Sequence, residues 1–162
     1  MQTIADLMRS FPATGELVWI GLRPARRAAM LALDEVFAEA DAGLTGDRHH
    51  GGGKRQVTLI QSEHLAVLSS FAKRPVTPEL LRRNLVIRGI NLLVLKNRTF
   101  RIGEAVLQGT GQCHPCSRME NTLGPGGYNA LRGHGGLTAR ILESGMLRVG
   151  DRLTVLPEDA AS

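Results

Sequence analysis

Apolar residues recur along this chain mostly in short runs that are separated by glycine, proline and charged positions. Runs of this kind, rich in Val, Ile and Leu and bounded by turn residues, predict β-strands. The predicted strands are 16–23, 28–33, 34–40, 56–61, 84–89, 99–110 and 151–156. Because many short strands with few crossover helices leave unpaired edges unless the sheet closes, we predict a mostly β protein that forms an antiparallel or mixed barrel.

Three segments have helical rather than strand character. Residues 2–11 carry a one-sided apolar face that proline then ends. This face comprises Ile4, Leu7, Met8 and Phe11. Residues 62–72 and 77–83 also predict short helices, with Ser62 and Thr77 as their N-caps. None is long enough to organise a doubly wound fold, so we expect all three at the periphery of the barrel.

The length and composition describe one globular domain, since 162 residues are enough to bury a core without disulfides. No apolar run approaches the roughly 18 residues that a membrane span needs. The opening stretch, MQTIADLMRSFPATGEL, lacks the basic leader and long apolar segment of a secretory signal. We therefore expect a cytoplasmic protein that does not contact a membrane.

The charge of the chain favours an anionic partner. Lys and Arg together outnumber Asp and Glu by 5, and arginine, whose planar fork matches phosphate and carboxylate, supplies most of the basic residues. Aromatic residues, which stack on bases, form only 4% of the chain, so we expect a small anion rather than nucleic acid. Glycine-rich segments at 43–56, 109–113 and 124–136 would let backbone N–H groups approach an anion, although flexible connections explain them equally well.

Two polar stretches are candidates for ligand contacts. The stretch GDRHH contains Asp47, Arg48, His49 and His50. Adjacent histidines on a strand face opposite ways, so a metal clip needs a bent loop, and a solvated basic turn is the alternative. The stretch RRN contains Arg82, Arg83 and Asn84. Arginine forks suit phosphate and an amide suits a heterocycle edge, but the helix dipole alone also favours arginine at the end of a helix.

The chain has two cysteines, Cys113 and Cys116, in the stretch GTGQCHPCSRME. A disulfide is disfavoured in a reducing cytosol, and a zinc site lacks a second ligand pair in the sequence. A thioredoxin-type pair requires a helix start within a βαβ unit, which the strand-like, glycine-rich flank does not predict. A single reactive thiolate, with Arg118 near enough in sequence to stabilise it, remains possible, as do two inert buried thiols.

The motifs, taken in order, resemble the MOSC family, named for the C-terminal domain of molybdenum cofactor sulfurase. The matching stretches are GDRHH, VTLIQSEHLAVL, RRNLVI, IGEAVLQGTGQCHPCSRM and GHGGLTARILESGMLRVGDRL. The resemblance implies a MOSC-type β-barrel of mixed, largely antiparallel strands with a few short peripheral helices. On this basis we divide the chain into a helical cap (1–15), a MOSC barrel (16–156) and a flexible tail (157–162).

The resemblance also implies a cofactor and the residues that hold it. MOSC proteins bind the molybdenum–molybdopterin cofactor or handle its sulfur, and Cys116 matches the cysteine that ligates molybdenum as a thiolate. Residues that match cofactor contacts in the related amidoxime reductases are Ser62, Arg82 and Asn84. Asp47 and Arg48 are expected to line the same pocket. Cys113 would then have no role in ligation.

The chain departs from those relatives, since RRN replaces RPN and we see no further domain. A pyridoxal-phosphate domain precedes MOSC in the sulfurase, so we expect no pyridoxal phosphate here. The first functional expectation is a molybdenum-dependent reductase of N-hydroxylated substrates, supplied with electrons by a separate reductase. The second is a sulfur carrier that holds a persulfide on Cys116, received from a cysteine desulfurase. A small-anion or zinc-binding module without catalysis is the third.

Overall fold

The computed structural model of the protein describes residues 1–158. Its strands are β1 (Gly15–Leu22), β2 (Leu31–Leu33), β3 (Glu35–Glu39), β4 (Gly43–Leu44), β5 (Val57–Gln61), β6 (Leu85–Arg88), β7 (Thr99–Ile102), β8 (Ala105–Gln112), β9 (Leu137–Glu143), β10 (Gly145–Arg148) and β11 (Arg152–Val155). The helices are α1 (Ile4–Leu7), α2 (Ser62–Ala72), α3 (Pro78–Leu81), α4 (Ser117–Leu123) and α5 (Gly127–Leu131), with a 3₁₀-helix at Leu92–Leu95.

Seven strands close into a barrel in the order β11, β7, β8, β9, β5, β6, β1, and β11 pairs with β1 to complete it. Neighbouring strands are antiparallel except β5 and β6, which run parallel. A parallel pair needs a long crossover, and α2 and α3 lie in this connection. Outside the barrel, β2 pairs with β1, and β10, β3 and β4 form a small separate sheet. The predicted mixed, mostly antiparallel barrel is confirmed.

Apolar side chains fill two layers on either side of the barrel wall. The interior contains Leu17, Ile20, Leu59, Leu85, Ile87, Phe100, Leu107, Ile141 and their neighbours. The second layer lies beneath the helices and contains Ile60, Leu68, Val76, Leu81, Val86, Met119, Leu123 and Leu131. Strand β5 is buried at every position because it faces the interior on one side and the helices on the other. The helices therefore cover one sector of the wall.

The observed elements correct several boundaries. The predicted strand 99–110 is two strands, because Gly103 takes a left-handed turn with φ of +55° between β7 and β8. Of the predicted strand 28–33, only Leu31–Leu33 forms a strand, β2. Strands β9 and β10 and helices α4 and α5 were not predicted from the sequence at all. In β9 the signal was present, since Leu137, Ala139 and Ile141 alternate inward.

The helix termini also differ in part from expectation. The N-terminal helix covers Ile4–Leu7 rather than 2–11, and of its predicted apolar face only Phe11 packs against the core. Thr77 is the N-cap of α3, as predicted, and its Oγ1 accepts a hydrogen bond from the Leu80 amide at 3.2 Å. Ser62, predicted as an N-cap, is the first helical residue instead. The tail predicted at 157–162 lies outside the described residues from 159 onward.

Candidate functional site: an arginine cluster beside two thiols

Four segments converge on Arg23 and Arg83 near the start of β6. Two of them are the loop 45–56, which precedes β5, and the RRN stretch, which joins α3 to β6. The other two are the cysteine segment 113–116, which follows β8, and the glycines that precede β9. The Cys113 amide donates to the Gly136 carbonyl at 2.8 Å, which joins the last two segments. Most of the stretches that drew attention in the sequence therefore lie close together.

A buried polar network forms the base of this region. Asn84 is fully buried, and its Oδ1 accepts hydrogen bonds from Arg23 Nη2 at 2.9 Å and from the Thr58 amide at 3.1 Å. Its Nδ2 donates to the Gly21 carbonyl at 3.0 Å and to Asp47 Oδ1 at 3.2 Å. Both ends of the amide are thus engaged within the protein. In this arrangement Asn84 joins β1, β5, β6 and the 45–56 loop rather than presenting its amide to a ligand.

Asp47 is the acidic member of the network. Its carboxylate forms a buried ion pair with Arg23, with 2.9 Å between Arg23 Nη2 and Asp47 Oδ2. It also accepts hydrogen bonds from the Arg23 amide at 2.8 Å and the His49 amide at 3.1 Å. Burial by itself raises the pKa of Asp47, but the Arg23 side-chain and backbone hydrogen bonds outweigh burial and hold that pKa below its ordinary value. Asp47 therefore stays ionised and fixes the loop.

Arg83 is the least expected member of the site, because it is buried without an acidic partner among residues 1–158. Its Nε donates to the Gly135 carbonyl at 2.8 Å and its Nη1 to the Leu81 carbonyl at 2.7 Å. Neither an ion pair nor a hydrogen bond at Nη2 engages it within residues 1–158. Burial lowers the pKa of Arg83; a thiolate at Cys113 would raise that pKa, repulsion from Arg23 lowers it, and a thiolate at Cys116 would raise it more weakly. A buried cation that lacks a counterion is poised to accept an anion.

Further arginines surround Arg83 and the ion pair. We call the set the arginine cluster; its members are Arg23, Arg48, Arg55, Arg82, Arg83 and Arg118. Burial and repulsion from Arg23 and Arg48 lower the pKa of both Arg82 and His49. Within residues 1–158, Asp47 is the one acidic residue among the groups that act on Arg82 and His49, so six arginines face a single carboxylate. Repulsion among these like charges destabilises the folded protein, and a bound anion would offset that repulsion.

The two thiols differ in exposure. Cys113 is half-buried, and Cys116 is exposed as the N-cap residue of α4, a helix that the sequence pattern did not predict. The pair does not lie in a βαβ unit, since the flanking strands β8 and β9 are antiparallel. Within residues 1–158 no group of three or more His, Cys, Asp or Glu side chains is arranged to hold a metal ion. A metal at Cys116 would therefore need ligands beyond these side chains.

Of the remaining candidate residues, Arg82 and Arg48 belong to the cluster, whereas Ser62 follows the end of β5. Arg82 adopts a left-handed backbone conformation with φ of +58°, and its guanidinium donates to the carbonyls of Ala28 at 2.6 Å and Ala25 at 3.2 Å. Ser62, half-buried at the start of α2, makes no side-chain hydrogen bond within the described part of the chain. Arg48 is exposed and belongs to the cluster. From the sequence, no role was assigned to Arg23. The available signal was a charged residue directly after the predominantly apolar strand β1.

Comparisons with known proteins agree with this architecture. The MOSC domain profile matches residues 46–154, which is more than half of the chain. The uncharacterized protein YflK of Bacillus subtilis is 28% identical over 141 residues, or 83% of this chain and 61% of YflK, so the chain spans less than two thirds of that relative.

Solved structures share the fold at low identity. The YuaD protein of Bacillus subtilis superposes with a TM-score of 0.79 at 18% identity, covering 91% of this chain and 98% of YuaD. YiiM from Escherichia coli gives a TM-score of 0.70 at 19% identity, covering 91% of this chain and 72% of YiiM. No helix among residues 1–158 is long and apolar enough to cross a membrane. On the strength of the profile match, this chain belongs to the MOSC domain family.

Proposed function

We propose that this protein binds the molybdenum–molybdopterin cofactor at the arginine cluster and uses it to reduce N-hydroxylated substrates, with electrons from a separate reductase. The observation that carries the proposal is Arg83, a buried cation with a free Nη2, no carboxylate partner within the described residues, and both thiols nearby. The cofactor is anionic and carries a terminal phosphate, which the arginine forks would recognise. The residues present therefore fit the group.

Each residue would contribute through its position. Cys116, exposed beside the cluster, would hold the metal through its thiolate, and Arg48 with Ser62 would meet the cofactor's polar edge. Arg82, already bound to two carbonyls, would add its charge. When bound, the cofactor would supply the two-electron redox chemistry that no side chain offers.

Asp47 and Asn84, which resemble cofactor contacts by motif, support the site from beneath in this arrangement. Their hydrogen bonds hold Arg23 and the 45–56 loop, so that the cluster keeps its geometry before any ligand arrives. Preorganised donors lose little freedom on binding, which raises affinity. We therefore propose that both residues position the site rather than touch the cofactor.

Elemental analysis tests the proposal. The protein, produced in a host that makes the cofactor, should contain molybdenum near one atom per chain, and Cys116→Ala should lose most of it. Cys113→Ala is the matched control because it removes the neighbouring thiol. Folded wild-type protein without molybdenum, or full retention by Cys116→Ala, would contradict the proposal.

A second candidate function is a sulfur carrier, favoured by the exposure of Cys116 to approaching proteins. A desulfurase persulfide would transfer its outer sulfur to the Cys116 thiolate and regain its own thiol. Incubation with a cysteine desulfurase and cysteine, without reductant, should add the mass of one sulfur atom to the peptide that contains Cys116. An unchanged mass would exclude this function.

A further inference from the structure

A cavity of about 280 Å³ opens between the start of α2, the end of β8 and the loop before β9. Its polar lining consists of Gln61, His64, Asn91, Gln112 and His134. Its apolar lining consists of Leu92, Leu93 and Leu137. The Gly135–Gly136 segment adjoins both regions: Gly136 lines the cavity, and Gly135 accepts the hydrogen bond from Arg83. Cys113 and the arginine cluster do not line this cavity.

Two histidines from distant parts of the chain meet in it. The rings of His64 and His134 are 5.0 Å apart between centroids and cross at 72°, and Phe71 packs against His134 at 5.7 Å. The Nδ1 atom of His134 lies 3.1 Å from the Arg132 carbonyl oxygen. Because a carbonyl only accepts, Nδ1 carries the proton, and Nε2 of the neutral ring is an acceptor. Protonation of His134 would turn Nε2 into a second donor.

The cavity has unused hydrogen-bonding capacity. Both ends of the Gln61 amide are engaged, with the Leu92 amide and with Glu63. In contrast, neither the His64 ring nor the Gln112 amide forms a hydrogen bond to any of residues 1–158. No acidic side chain is among the lining residues that the structure describes. A ligand with paired acceptor oxygens would satisfy these groups together.

We propose that this cavity binds a small carboxylate, whose oxygens accept from the His64 and His134 rings and from the Gln112 amide. The apolar part of the ligand would pack on the leucine side of the cavity. The inference does not rest on the proposed cofactor chemistry, since it uses a different set of side chains.

Binding would be linked to proton uptake. Burial lowers the pKa of His64, the neighbouring His134 lowers it further, and Glu63 opposes both. The Glu63 carboxylate accepts hydrogen bonds from the Gln61 side chain and the Gly89 amide. Arg132, whose carbonyl contacts the His134 ring, places a positive charge on the same segment as His134. The empty site therefore favours the neutral form of His64, whereas a bound carboxylate would favour the protonated ring. Affinity for the anion should rise as the pH falls.

Sodium benzoate and neutral benzamide, which have nearly the same shape, form a matched pair of probes. NMR titration of the cofactor-free protein should shift the imidazole signals of His64 and His134 with benzoate. The benzoate Kd should increase about tenfold per pH unit above neutrality, as expected for uptake of one proton. Benzamide should bind more weakly and without pH dependence.

Variants locate the binding. His134→Gln and His64→Gln, which preserve hydrogen bonding without titration, should each remove most of the pH dependence, and their NMR spectra report folding. Arg152→Met, which removes the charge of an exposed side chain on β11, should leave benzoate binding intact. Absence of histidine shifts at millimolar benzoate, an equal response to benzamide, or loss of binding in Arg152→Met would each overturn the proposal. None of these results depends on whether the protein carries molybdenum.

Discussion

Replacing Asn84 with alanine removes a buried amide that is hydrogen-bonded on both its oxygen and its nitrogen. The Thr58 amide loses the Asn84 acceptor, and the Gly21 carbonyl and Asp47 each lose a donor. Each buried polar group left without a partner costs about 1–3 kcal/mol. Because Asp47 and Thr58 keep other hydrogen bonds, we expect Asn84→Ala to lower the free energy of unfolding by about 3–5 kcal/mol.

Urea denaturation measures this loss, followed by the fluorescence of the single tryptophan, Trp19. Small domains have about 5–15 kcal/mol of stability in total, so the variant should fold but unfold at much lower urea. Asn129→Ala is the matched control, since Asn129 is exposed on α5, and should change stability by less than about 0.5 kcal/mol. If Asn84→Ala were as stable as the control, Asn84 would be free to contact a ligand and our assignment would be wrong.

Three further predictions concern the same region. The pKa of Asp47 is lower in the folded protein than in the unfolded chain, so ionised Asp47 stabilises the fold fully above the unfolded value of about 3.9. This stabilisation is lost as the pH falls through the folded pKa. Asp47→Asn should therefore make the free energy of unfolding less dependent on pH in the acid range. Gly136→Ala should lower the melting temperature sharply because its Cβ would overlap the Leu59 carbonyl, whereas Gly133→Ala, with open space, should cost about 1 kcal/mol. Arg83→Met should weaken phosphate binding, measured by calorimetry at low salt, and Arg83→Lys should restore it only in part; equal affinities would refute the role of Arg83.

Most of the barrel was predictable because its strands carry local signals; of the seven, only β9 was missed. Strands β5 and β6 contain the apolar pairs and runs Leu59–Ile60 and Leu85–Ile87, and adjacent apolar residues are typical of strands that are covered on both faces. The order of short motifs then identified the family. The position of α4 was harder to predict, since its apolar residues, Met119 and Leu123, give only one helical repeat in a short segment.

The geometry of the site depended on contacts that no local pattern contains. The left-handed conformation of Arg82 ends α3, and of the two adjacent arginines only Arg83 is buried, a difference that the letters RR do not specify. The ion pair between Arg23 and Asp47 joins residues 24 positions apart. Asn84 suits a ligand by residue type, yet its partners on β1, β5 and the 45–56 loop use all of its polar atoms. The residue types indicated which chemical groups the site contains. Only the tertiary structure shows on which side of the barrel wall each of these side chains lies.

The pairing of β11 with β1 has a kinetic consequence. Gly15 pairs with Leu153 and Glu16 with Arg152, so the contact that closes the barrel joins almost the two ends of the described chain. During synthesis, the Gly15–Glu16 part of β1 keeps an open edge until β11 has left the ribosome, because β2 pairs only with Ile20–Leu22. Proteins that depend on such distant contacts fold slowly, and open edges invite association with other chains. We therefore expect refolding to be limited by this last closure.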